Sequence, residues 1–356
     1  TRWVAQRTII ISPFLRRTLR KVCLTAQTSQ LHTALRNIAQ NGTLSLEELE
    51  VNCTREVGFL LAPLHQAIIS QGNLRRLRIY SLDNVVALAY TAKELPCLTY
   101  FDVGKLSSAP GSPSEHEDHE DTSEGYFHSL ISLRVSGSPA GVSKFMETIA
   151  SKGMTEVLVE IEVPWIAMEP MQPDTLLALH TFKATLIDLK VKILGDFTWS
   201  HLEPILDLHE LQKFSLNYTN STISPQLNDA RLLQMTRAWP RLTSLDLINR
   251  SNTPTITLLG LGYIASNSPN LRVLSVGFDG SPQVDPSYLP ADDPPPNHNT
   301  MEFVDVLWSK YDPGDELRIA TSFFRRWWPH ARIMASDMTE EEAKRWEKAS
   351  TASRTA

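Results

Sequence analysis

The sequence predicts an α/β solenoid, with parallel strands laid side by side and a helix after each that returns the chain to the same sheet. Three observations predict it: a short apolar motif recurs ten times, helical patterns fill the intervals, and prolines phase the two. The motif is an apolar residue, two others, an apolar residue, one other and an apolar residue. It reads Leu19–Val22–Leu24, Leu46–Leu49–Val51, Leu74–Leu77–Ile79, Leu98–Phe101–Val103 and Leu130–Leu133–Val135. It continues as Met154–Val157–Val159, Leu186–Leu189–Val191, Leu211–Phe214–Leu216, Leu242–Leu245–Leu247 and Leu271–Leu274–Val276. First positions lie 27, 28, 24, 32, 24, 32, 25, 31 and 29 residues apart.

Strand geometry explains the motif. Side chains alternate along a strand, so its fourth and sixth positions point to one face. So short a strand cannot bury that face alone; parallel neighbours backed by helices make one continuous core. The spacing matches the leucine-rich repeat, whose period is roughly 20–29 residues with longer variants. The expected architecture is therefore a leucine-rich-repeat solenoid, a horseshoe with parallel strands on the concave face and helices outside.

The intervals carry the helices. Segments 31–40, 59–69, 84–95, 142–150, 174–182, 229–239 and 257–267 place apolar residues at helical spacing. Pro96, Pro240 and Pro269 stand two residues before the next motif, and Gly72 stands two before Leu74. Proline ends a helix and favours extended backbone before it, and glycine serves as a helix stop.

Residues 1–280 are read as the solenoid, interrupted at 107–125 by a Ser-, Pro- and acid-rich insertion expected to be disordered. Residues 281–299 are a proline-rich linker, and 300–356 a capping repeat with a helical tail. Within this last part, 301–310 reads as a helix and 315–334 as a helix–proline–strand turn. Phe323, Phe324, Trp327 and Trp328 are assigned to a cap over the end of the core, which a solenoid requires.

Composition narrows the function classes. The chain has 356 residues, a formal net charge of −6, 42% hydrophobic and 21% charged residues. The insertion holds much of the acid, in Glu115, Glu117, Asp118, Glu120, Asp121 and Glu124. No basic footprint suggests nucleic acid and no polybasic patch suggests a membrane. No apolar run approaches the ~18 residues of a membrane helix. Three dispersed cysteines, Cys23, Cys53 and Cys97, argue against a disulfide framework and for an intracellular setting, cytoplasmic or nuclear. The start at Thr1, without a signal-peptide pattern, is read as a break inside a longer protein or as a trimmed end.

The repeat phrases LPCLTYFDVG, WPRLTSLDL and SPNLRVLSVG, and the opening ISPFLRRTLRKVCL, resemble the leucine-rich half of fungal-type F-box proteins. The resemblance covers roughly residues 11–335. It implies the substrate-recognition part of an SCF-type ubiquitin ligase, joined to the ligase adaptor only through an F-box upstream of Thr1. The alternative is a leucine-rich scaffold with no ligase link.

In a parallel stack, motif positions three, five and seven face outward. Arg76, Arg78, Tyr80, Tyr100, Asp102 and Arg134 fall there and form the candidate face for a protein partner, whose identity the sequence leaves open. Arg and Tyr are over-represented among interface hot spots. The competing reading is that Glu48 and Glu50 simply pair with Arg76 and Arg78 across neighbouring strands. Ser114, Thr122 and Ser123, beside acids in the insertion, are candidate phosphorylation sites. The HEDH at His116–His119 lacks a third ligand, so neither a metal nor another cofactor is expected. None of GxSxG, GxxxxGK[ST], GxGxxG, HExxH or paired CxxC occurs, so no enzyme activity is expected.

Overall fold

A computed structural model describes residues 2–5, 19–40, 45–53, 60–80, 89, 92–106, 127–149, 153–162, 173–194, 198–219, 227–249, 254–280, 300–307, 309, 315–335, 340 and 344. They fall into two compact units, Thr1–Glu162 with Asp174–Thr185, and Val163–Pro173 with Leu186–Ala356. Both are α/β, with every strand parallel to its neighbours and consecutive strands adjacent.

The first unit carries β1 (Arg2–Ala5), β2 (Lys21–Ala26), α1 (Thr28–Gln40), β3 (Glu48–Cys53), α2 (Leu61–Ile69), β4 (Arg76–Tyr80) and β5 (Tyr100–Leu106). It continues with β6 (Ser132–Gly137), α3 (Pro139–Thr148), β7 (Glu156–Glu162) and a 3-10 helix over Pro173–Phe182. The strands pair in chain order, so motif positions stand in rows: Leu49 beside Leu77, then Phe101, Leu133 and Val157. These side chains are buried. Helix α1 buries Leu31, Ala34, Leu35 and Ile38, one stripe of a 3.6-residue period. In the 3-10 helix the buried Leu176, Leu179 and Phe182 recur every third residue. That is the period of a 3-10 turn rather than of the α-helix its spacing also permits.

Each new strand hangs on the previous one by a repeated device. The amides of Arg75 and Arg76 both donate to the carbonyl of Glu47, at 2.9 and 2.9 Å. Those of Thr99 and Tyr100 donate to Arg75 in the same way, at 2.9 and 3.0 Å.

The second unit carries β8 (Asp188–Leu194), two short 3-10 turns (Trp199–His201 and Glu203–Asp207), β9 (Lys213–Thr219), α4 (Asp229–Ala238), β10 (Ser244–Asn249) and α5 (Leu258–Asn267). Then come β11 (Val273–Val276), β12 (Phe303–Asp305), α6 (Asp315–Trp327) and β13 (Arg332–Met334). Trp239 is fully buried; its indole lies 4.7 Å from the Phe214 ring and its Nε1 donates to the carbonyl of Ile205 at 3.2 Å. Asp229 ties one helix start to the next, accepting from the Thr257 amide at 2.8 Å and the Thr257 hydroxyl at 2.7 Å.

The phasing prolines do more than end helices. Leu98 donates its amide to Leu95, Leu242 to Trp239 and Leu271 to Ser268, closing turns that lead into the strands. Pro96, Pro240 and Pro269 occupy the second place of those turns, where the fixed φ of proline fits. Gln71, Gly72, Asn73 and Leu74 close the same turn without proline.

The structure corrects one element. Residues 301–310, expected as a helix, contain β12, which pairs with β11 and β13. Met301, Val304 and Val306 are buried at the spacing of the strand motif, making a further copy. Segment 315–334 has the expected helix and strand, and Phe323, Phe324, Trp327 and Trp328 are buried together. The insertion 107–125 and the linker 281–299 lie outside the described residues, as does most of the helix expected at 84–95. Among the described residues no helix is long and apolar enough to cross a membrane.

Candidate partner-binding face

The outward positions of the first unit form a lattice of rows. One row runs Lys21, Glu48, Arg76, Tyr100, Ser132 and Glu156. The next runs Cys23, Glu50, Arg78, Asp102, Arg134 and Leu158, and a third includes Asn52, Tyr80 and Gly104. Arg76, Arg78, Tyr80, Tyr100, Asp102 and Arg134 are thus brought onto one sheet face. Ser114, Thr122 and Ser123 lie outside the described residues.

Asp102 is the centre of the face. Its carboxylate is buried although its position points outward, because four neighbours cover it. Tyr80 donates its hydroxyl to Oδ2 at 2.7 Å and Tyr100 donates to the same oxygen at 3.2 Å. Arg78 Nε stands 4.0 Å from Oδ2 and Arg134 Nε 4.0 Å from Oδ1. The Arg78 guanidinium also lies over the Tyr100 ring, 5.4 Å from its centroid.

The cations are paired on their other sides. Arg78 donates to Glu50 at 3.3 Å and Arg134 to Glu160 at 3.2 Å. Arg76 stands 3.7 Å from Glu48, which also pairs with Lys21. Both pairings weighed from the sequence, Glu48 with Arg76 and Glu50 with Arg78, are therefore present.

This arrangement sets the electrostatics. Burial raises the Tyr80 phenol above its ordinary range, and the hydrogen bond to the Asp102 carboxylate raises it further. Burial likewise raises Tyr100, with the Asp102 charge adding to it. Both phenols stay protonated at neutral pH and keep donating. Burial works against the charged forms of Arg78 and Arg134, and their carboxylate neighbours, Glu50 for Arg78 and Glu160 with Asp102 for Arg134, work against that. The hydrogen bond from Lys21, with the other cations adding, holds Glu48 below the usual carboxylate range.

Sequence reasoning did not assign Gly104 or Glu160 to the patch. A Cβ on Gly104 would meet Tyr80 Cδ1 at 2.5 Å, so the missing side chain lets the Tyr80 ring lie across β5 and reach Asp102. Glu160 stands in register with Ser136, one row diagonal from its partner Arg134. Diagonal neighbours in a sheet lie within reach of long side chains, and that geometry was the signal available.

Among the described residues no group of three or more His, Cys, Asp or Glu is placed to hold a metal ion.

No protein-family model matches the chain, and no curated protein matches it. A solved structure from Bacteroides fragilis, a structural-genomics target, is similar at 11% identity and a TM-score of 0.41, over 90% of this chain and 75% of that one. A likeness at that level assigns neither a family nor a function.

Proposed function

We propose that this chain is a protein–protein interaction module of leucine-rich repeats, and that it is the substrate-recognition part of an F-box-type ubiquitin ligase. The observation that carries the first half is the face around Asp102, where two tyrosines and two arginines are locked over one buried carboxylate. Such preorganisation lowers the ordering cost of binding, and repeat proteins use extended sheet faces to hold partners. The repeat type is supported by the LxxLxL spacing and by strands that pair in motif register. The ligase role rests on the resemblance of the repeat phrases to fungal-type F-box proteins, with the adaptor reached through an F-box upstream of Thr1. No catalytic role is proposed for any residue.

The test is affinity purification of the complete gene product from its native cells, read by mass spectrometry. Cullin-ligase adaptors among the enriched proteins are expected, with substrates beside them. A reproducible partner with no ligase component would replace the ligase reading with a scaffold.

A further inference from the structure

Several ion pairs on the first unit's face are lopsided in depth, whereas Arg78–Glu50, at 33% against 24% exposed, and Lys21–Glu48, at 27% against 29%, are nearly level. Arg76 is 54% exposed against 29% for Glu48, and Arg78 is 33% exposed against 3% for Asp102. Arg134 is 42% exposed against 14% for Glu160. Asp102 and Glu160 form a floor, the guanidinium groups of Arg76, Arg78 and Arg134 a roof, and Glu48 and Glu50 lie between. Over Asp102 and Glu160 an approaching partner meets the guanidinium groups first, and at contact the nearest charges dominate.

The roof has donors to give. A guanidinium carries five N–H groups. Arg78 and Arg134 each make one described hydrogen bond to a carboxylate, and the contact of Arg76 with Glu48 at 3.7 Å is too long to be one. The remaining N–H groups can grip a carboxylate from outside, the planar fork fitting two oxygens at once.

Spacing narrows the ligand. Arg78, Asp102 and Arg134 stand in register on three successive strands. Strands lie about 4.8 Å apart, which separates the two arginine backbones by about 9.6 Å. A peptide in the polyproline-II conformation has three residues per turn and rises about 3.1 Å per residue, so two acidic residues three positions apart lie on one side of it and span about 9.3 Å. The half-buried rings of Tyr80 and Tyr100, fixed on Asp102, offer flat apolar surface beside them. The acidic floor works against a continuous polyanion such as nucleic acid, which would bring phosphates over Glu50, Asp102 and Glu160.

We propose that this face takes a peptide segment in the polyproline-II conformation running across the strands, with two carboxylate side chains three positions apart seated on Arg78 and Arg134. The proposal rests on the reading of the face as a protein-binding surface.

Fluorescence anisotropy of the purified full chain with synthetic peptides tests it. The probes are a short neutral peptide with two glutamates three apart, its double-glutamine counterpart, a version with the glutamates adjacent, and a version with phosphoserines. The spaced glutamate peptide is expected to bind at least about tenfold more tightly than the glutamine and adjacent versions. Arg78→Glu with Arg134→Glu is expected to abolish that preference, and Arg78→Gln with Arg134→Gln to reduce it while leaving fewer unpaired charges in the fold. Equal binding of the glutamate and glutamine peptides would overturn the proposal, as would an unchanged preference in the glutamine variant. Tighter binding of the phosphoserine peptide would overturn the carboxylate assignment. If no acid preference exists but Arg76→Glu with Arg78→Glu still strips the chain of its cellular partners, the acidic chemistry falls and the protein-binding reading stands.

Discussion

Asp102 in the first unit and Asp246 in the second hold the same place in their repeats, the fifth position of the motif, and live in opposite surroundings. Asp102 accepts from two phenols and is flanked by two guanidinium groups. Asp246 accepts from the Ser215 hydroxyl at 3.0 Å, and its buried Oδ1 has no hydrogen-bond partner. Burial raises its carboxyl above the ordinary range and the charge of Asp305 adds to this, while the Ser215 hydrogen bond and Lys190 oppose it. The backbone frame is shared, a parallel strand between two others. What differs is which residues the neighbouring strands present. A carboxylate at this motif position is stabilised where both neighbours supply donors or cations and is a liability where they do not.

Removing the better-served carboxylate is expected to cost most. Asp102→Ala leaves two half-buried phenols and two arginines without their shared acceptor, a loss of about 2–3 kcal/mol in urea unfolding of the first unit. Ultraviolet titration of the same variant is expected to show the Tyr80 phenol moving down toward its ordinary range. The next largest effect tests how the site is assembled. Gly104→Ala brings a Cβ against the Tyr80 ring, which must swing off Asp102, at about 1–2 kcal/mol. A Tyr80→Ala background, with the ring already gone, is expected to remove most of that penalty.

The opposite sign is expected at Asp246. A carboxyl whose folded pKa is raised contributes stability that is full below its unfolded value of 3.8 and lost as pH rises through the folded value. Asp246→Asn cannot ionise and is expected to be as stable as the parent chain, or more so by up to about 1 kcal/mol, at neutral pH. Its advantage should shrink as pH falls toward 3.8. The smallest effect is at Glu48, held low by Lys21. Its contribution is present above the unfolded value of 4.5 and lost as pH falls through the folded one. Lys21→Met is expected to shift acid unfolding of the first unit slightly upward, by a few tenths of a kcal/mol.

The sequence made the frame legible and the site only in part. All ten motif copies lie at or lead into strands, because the alternation of buried and outward positions is a property of the strand itself. The copy at Met301–Val304–Val306 was hidden because Met301 and Val304 also fit helical spacing. β1 carries no full motif copy. On the face, the residue types and rows could be read from the repeat, so Arg76, Arg78, Tyr80, Tyr100, Asp102 and Arg134 were grouped from spacing alone. The bonds that organise them run diagonally, from Tyr80 to Asp102 and from Arg134 to Glu160. Those depend on rotamers and on the empty space at Gly104, which no periodicity encodes. The burial of Asp102 was equally hidden, since it follows from four neighbours folding over it.

The central claim is that this face holds another protein. The most direct measurement compares the parent chain with Arg76→Glu plus Arg78→Glu, each expressed as the complete gene product in native cells, purified side by side and read by quantitative mass spectrometry. Circular dichroism and thermal unfolding are recorded on the same two proteins. Loss of one or more reproducible partners from a variant that retains its fold is the expected result. An unchanged set of partners on a folded variant would contradict the account and leave the ladder of ion pairs as a structural feature only.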